Sequence, residues 1–145
     1  MAWTAITDRD ICVQGQENKI DCIASGTIYA GQGVTLTEGS VASAGSSEYQ
    51  RIYVAAGNTG VDKKALGIAA IGATNGNRIS VYTAGAMCWT RANSSVSQGD
   101  WLYVAADGDW DDCTDAAAAE IAMSGAAIAL IPQASTDGMV LVQLK

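Results

Sequence analysis

Residues 65–81 read ALGIAAIGATNGNRISV, and this stretch restricts the possible folds more than any other. Leu66 to Ile71 carry no charge. Asn75-Gly76 follows, a dipeptide suited to a type I′ turn, which needs φ > 0 at both central residues. Ile79 and Val81 then alternate with Arg78, Ser80 and Tyr82, the period of two of a half-buried strand. The cadence returns near the C-terminus as Ile128-Ala129-Leu130-Ile131, a turn at Asp137-Gly138, and Val140-Leu141-Val142. Two such statements in one chain of 145 residues predict a small closed β-body.

Other words repeat as well. Gln32-Gly33 before Leu36 echoes Gln98-Gly99 before Leu102. Ile52-Tyr53-Val54-Ala55-Ala56 echoes Leu102-Tyr103-Val104-Ala105-Ala106. The offsets differ, so the chain is either an internal duplication separated by insertions or a small β-protein that reuses short words. Further strands are expected at residues 27–30, 34–37, 50–56, 86–90, 101–105, 127–131 and 139–144. Turns are expected at Gly31-Gln32-Gly33 and residues 57–60. Pro132 stands at a strand end, where its missing N–H costs least. Residues 116–123 alone have strong helix propensity, enough for one or two turns between Thr114 or Asp115 and Gly125. The fold class is therefore all-β with at most one short helix.

The opening is different in character. Residues 1–22 hold Asp8, Arg9, Asp10, Glu17, Lys19 and Asp21, with Trp3 and Ile6 set among polar residues. They read as an N-terminal arm before a single β-rich domain at 23–145. Residues 1–10 are either an extended arm whose Trp3 needs a partner surface to leave water, or a terminus without order. Residues 11–13 and 20–23 suit two short strands around a turn. The start has no basic, apolar signal pattern, which suggests a protein made in a cytoplasm and not exported by the secretory route. There Cys12, Cys22, Cys88 and Cys113 behave as small buried hydrophobes, or Cys12 and Cys22 pair if the protein meets an oxidising exterior.

Charge narrows the functions. Only 16% of residues are charged, against about 25% in ordinary domains. Such a surface suits a protein packed against neighbours. A net charge of −7 argues against nucleic acid, whose binding needs a basic face, and against an anionic membrane surface. No run of about 18 or more apolar residues suggests a membrane span. Histidine is absent, which removes the commonest general base and metal ligand. No serine has an evident activating base, and no glycine-rich stretch has a phosphate-binding frame. No catalytic residue and no cofactor are expected.

One stretch could do chemistry: Asp107-Gly108-Asp109-Trp110-Asp111-Asp112, with Asp115. Counted from Asp107, the positions that need Gly and Glu in a helical Ca²⁺ loop are Asp112 and Ala118, so it reads as a solvated loop. Its carboxylates with Trp101 and Trp110 would suit a sugar, but a chain of small residues makes no deep cleft. Trp89 and Trp101 lie in strand patterns and read as core. Trp3 and Trp110 lie in polar surroundings, and with Ile6 they are the candidate interface anchors.

Four segments carry a family resemblance: GTIYAGQGVTL, ALGIAAIGATNGNRISVYTAG, SVSQGDWLYVAADG and AIALIPQASTDGMVLVQL. Across residues 25–145 the chain resembles the capsid decoration (cement) proteins of tailed bacteriophages. The shared words are a strand at a QG or QGD turn, an LGIA strand after a charged loop, and a final IAL…DG.V.VQL. The resemblance implies a compact β-barrel or β-tulip-like domain. It implies homotrimers on the outer surface of the virion, bound to the major capsid protein and stabilising contacts between its subunits. The four cysteines and the Ala-rich segment depart from the pattern. A carbohydrate- or host-surface-binding module on the phage head, using Trp110 and the acidic loop, is the alternative; a small cytoplasmic enzyme ranks last.

Overall fold

The computed structural model describes residues 3–37, 52–57, 65–92, 96–113, 126–132 and 138–145. Their strands are β1 (Cys12–Gln14), β2 (Lys19–Ala24), β3 (Gly33–Thr37), β4 (Tyr53–Ala56), β5 (Gly67–Ala69) and β6 (Arg78–Tyr82). These continue as β7 (Met87–Arg91), β8 (Trp101–Val104), β9 (Trp110–Asp112), β10 (Ala127–Ile131) and β11 (Met139–Leu144). The helix expected at 116–123 lies outside the described residues, as does most of the turn at 57–60. The protein is all-β, as its alternation of apolar and polar residues requires.

Alternation decides which side chains go inside. In β6, Ile79 and Val81 are buried between Arg78, Ser80 and Tyr82. In β8, Leu102 and Val104 are buried between Trp101 and Tyr103. Each such burial is worth roughly 1.5–3 kcal/mol, which offsets the cost of ordering the chain.

Strands β2 to β6 close a barrel in the order β2-β4-β3-β5-β6. Strands β7 to β11, with β1 added, form a sheet in the order β1-β7-β11-β10-β8-β9. A single parallel bridge between Ala92 and Trp110 joins β9 back to the end of β7. The two groups therefore have one topology, with β2 to β6 answered by β7 to β11. The registers agree. Ala24 lies beside Val54 as Ala92 lies beside Trp110. Cys22 faces Ile79 as Thr90 faces Val140. Val34 faces Ala56 and Gly67 as Leu102 faces Asp112 and Ala127. Ala69 faces Val81 as Ala129 faces Val142.

Loop hydrogen bonds repeat too. Gly31 N–H donates to Ala69 O and Gly99 N–H to Ala129 O, each at 2.8 Å. Both glycines have φ near +90°, where an L side chain is strained. Ala24 N–H donates to Asn77 O and Ala92 N–H to Gly138 O, each at 2.9 Å. Even a side chain is matched: Gln32 Oε1 accepts from Tyr29 N–H, and Asp100 Oδ2 accepts from Ser97 N–H. Among the described residues a five-stranded unit thus occurs twice in tandem.

The repeats pack through backbone. Thr90 Oγ donates to Gly31 O at 2.7 Å, and Gln32 Nε2 to Asp107 O at 2.6 Å. A Cβ on Gly33 or Gly57 would strike Val104. Inside the first barrel lie Cys22, Ile28, Val34, Val54, Ile79 and Val81. The larger cluster, around Trp110, Leu102, Val104 and Val140, also takes in Ile68 of β5.

Four expectations need correction. The boundary at residue 22 falls inside β2, a barrel strand, so residues 1–22 are not a separate arm. β1 and β2 do not pair with each other: β1 pairs with β7, and β2 with β6 and β4. Residues 27–30 make only an isolated bridge, Ile28 to Ala73, and the acidic loop contains a 3-10 turn (Ala106–Gly108) and β9.

Candidate docking surface

Residues 3–11 form no strand, yet they are tied down along their length. Ile6 N–H donates to Ala30 O at 3.2 Å, and Trp3 Nε1 to the same oxygen at 3.4 Å. Arg91 Nε donates to Thr4 O, and Trp89 N–H to Ile11 O. The Arg9 guanidinium lies 4.8 Å from the Trp89 ring centroid, and that of Arg91 lies 5.9 Å from that of Trp3. Both separations fit cation–π attraction. Asp8, paired with Arg9 at 3.0 Å, is held below the ordinary carboxylate range by that hydrogen bond.

The candidate anchors are thus placed differently from expectation. Trp3 is 8% exposed and Ile6 4% exposed, because both pack against this chain's own β-body. Trp110 is 0% exposed. β9 sets it opposite Val104, and the alternation of the strand sends its ring into the core although aspartates flank it. Its Nε1 has no hydrogen-bond partner among the described residues and lies close to Gly33. Trp3 and Trp110 share the larger core cluster rather than a surface patch.

The exposed tryptophan is Trp101, 38% exposed, which sequence reading had placed in the core. It pairs with Ile128 on the outer face of the sheet, beside Tyr103. Val13 and Ile131 add exposed apolar surface on the same sheet. Strict alternation about the buried Leu102 was the signal that places Trp101 outside. The sugar-stacking pair of Trp101 and Trp110 does not form, since one ring faces solvent and the other the core.

The acidic loop is structural in its first half. Asp107 has φ 59°, its carbonyl accepts from Gln32, and Gly108 N–H donates to Gly57 O at 2.6 Å. Burial, with help from Asp107, raises the Asp109 pKa. Burial and then Asp111 raise that of Asp112. Among the described residues, no three Cys, Asp or Glu side chains form a group that could hold a metal ion. None of their helices is long and apolar enough to cross a membrane.

None of the four cysteines is in a disulfide. Cys12 and Cys22 do not meet: Cys12 faces Cys88 across β1 and β7, and Cys22 lies inside the first barrel. Burial, then the nearby Asp21 charge, pushes the Cys22 thiol up to about 11. Burial raises Cys88 further still, and Cys12 is also raised. None of these three is primed as a nucleophile.

The chain therefore belongs, by architecture, to all-β proteins built from two tandem barrel-like units. No family model matches it, and no curated protein does. Among solved structures it is similar to the N base of head fibre gp8.5 of bacteriophage phi29. The match has a TM-score of 0.57 at 15% identity and covers 88% of this chain and 92% of that one. At that identity the likeness is one of fold.

Proposed function

We propose that this chain is a structural protein of a bacteriophage virion, carried on the outer surface of the head. There it binds the major capsid protein as a homotrimer and stabilises contacts between capsid subunits. The observation that carries the reading is the shared fold with a phage head-fibre base across nearly the whole of both chains. The low charge and the apolar outer positions Val13, Trp101 and Ile131 support it, since association needs surface that gains by leaving water. Its place in the decoration family, and any β-tulip-like kinship, rest on the sequence resemblance. In this reading the chain is made in the host cytoplasm and acts by binding alone, without a catalytic group or cofactor. A protein selective for the mature shell stabilises that shell by mass action.

The test is co-sedimentation of the purified chain with mature phage heads that lack it. Binding should saturate at a fixed number of copies per head and raise the temperature at which the heads release DNA. Light scattering should give three chains per particle. A folded chain that ignores mature heads would sink the proposal.

A further inference from the structure

Two of the cysteines meet across paired strands. Cys12 in β1 faces Cys88 in β7. Trp89 N–H donates to Ile11 O at 2.8 Å, one residue beyond the pair on each strand. Cys12 and Cys88 are therefore a non-hydrogen-bonded pair, whose Cα atoms approach to about 4.5 Å with both side chains on one face. A disulfide spans Cα separations of about 4.4–6.8 Å. Both side chains are buried, and the two thiols hydrogen-bond each other. The Cys12 thiol also donates to Gln14 O at 3.0 Å.

The two thiols differ in access. Cys88 is 0% exposed, whereas Cys12 lines a half-open cavity of about 390 Å³ together with Arg9, Gln16 and Tyr82. Cys12 also stands at the end of the segment that ties the two repeats together. That segment bonds Ala30 O of the first repeat through Ile6 N–H and Trp3 Nε1, and holds Arg91 of the second through Thr4 O. β1 has only three residues, and its register is irregular between Cys12 and Gln14. Few backbone bonds therefore fasten this end of the segment.

We propose that Cys12 and Cys88 are a redox pair, which closes to a disulfide when the protein leaves a reducing compartment and fixes the N-terminal segment to the second repeat. The oxidant is a small-molecule disulfide. Cys12 Sγ, as thiolate, attacks one of its sulfurs from the cavity; the S–S bond of the oxidant breaks and one small thiol leaves. Cys88 Sγ, its proton passed to solvent, then attacks Cys12 Sγ and displaces the second small thiol. The two cysteines give up two electrons and two protons, and the oxidant ends as two thiols. Burial holds both cysteines above the ordinary thiol range, so the exchange takes hours rather than seconds. A cytoplasm keeps the pair as thiols, and an oxidising exterior closes it. The bond joins residues 12 and 88, a long loop, and so restricts the unfolded chain. The inference stands on the geometry of this pair and goes beyond the head-protein reading, under which release from the host cell supplies the oxidising exterior.

The full-length chain, purified in dithiothreitol and then held with oxidised glutathione for a day, tests this. Alkylation of the remaining thiols, digestion and mass mapping should find Cys12 joined to Cys88, with Cys22 still a thiol. The melting temperature should rise by roughly 5–15 °C and fall back when dithiothreitol is added. Cys12→Ala should show no such rise, and Cys113→Ser should show all of it. A folded wild-type chain that keeps both thiols, stops at a glutathione adduct on Cys12, or joins either cysteine to a different one overturns the pair. A bond between Cys12 and Cys88 that leaves the melt unchanged overturns its hold on the N-terminal segment. None of these readings involves phage heads, so failure here leaves the head-protein reading standing.

Discussion

Substituting Ile6 by alanine tests whether the N-terminal segment belongs to the folded body. Ile6 is almost wholly buried, and its Cδ1 lies where a side chain on Gly31 would stand. The substitution removes three carbons. At about 0.8 kcal/mol for each buried carbon the transfer loss is about 2.4 kcal/mol. Gly31 has no side chain to move into the gap, so a cavity cost adds to it, and the total is about 3–4 kcal/mol. For a chain of this size the melting temperature should fall by roughly 5–15 °C. Urea unfolding followed by tryptophan fluorescence measures the change, with Thr7→Ala, at an exposed neighbour, as the near-neutral control. A loss below about 0.5 kcal/mol would mean that residues 3–10 detach freely. Trp3 and Ile6 would then be available to another protein, and the packing described above would not be what holds them.

Three further outcomes are expected. Gly67→Ala places a Cβ on the carbonyl oxygen of Tyr82, which is backbone and cannot swing away; it should cost about 3 kcal/mol or more, read as loss of soluble folded protein, whereas Gly76→Ala, with open space around it, should cost about 1–2 kcal/mol through its positive φ alone. The raised pKa of Asp109 means the folded state holds that proton more tightly than the unfolded chain does. Its contribution to stability is therefore present at low pH and lost as pH rises from about 4 through the folded-state pKa; the stability of wild type relative to Asp109→Asn should fall across that window, and a flat difference would refute the burial argument. A thiol reagent at neutral pH should label Cys113, which is half-buried, well before Cys12, Cys22 and Cys88, and all four only in denaturant.

Much of the duplication was legible in the sequence, and the reason is physical. The Gln-Gly pairs at 32–33 and 98–99 precede β3 and β8, which are true counterparts. The LGIA and IALI words belong to β5 and β10, and the turns at Gly76 and Gly138 lead into β6 and β11. Such turns carry special backbone geometry, and special geometry demands special residues. The match between residues 52–56 and 102–106 was false, for β4 corresponds to β9 and β8 to β3. A short apolar strand carries no label for its partner; that is set by register, which no local word encodes. Trp110 was misplaced for a related reason. Its aspartate neighbours signal solvent, while its facing residue, Val104, lies several positions earlier and only the hairpin brings them together.

That β1 completes the second repeat has a consequence for biogenesis. β1 leaves the ribosome about 70 residues ahead of its partner β7. At roughly 5–20 residues per second, translation leaves it waiting for several seconds before β7 appears. During that interval residues 12–14 have no strand to pair with, so their early mispairing is the chief kinetic hazard of this architecture.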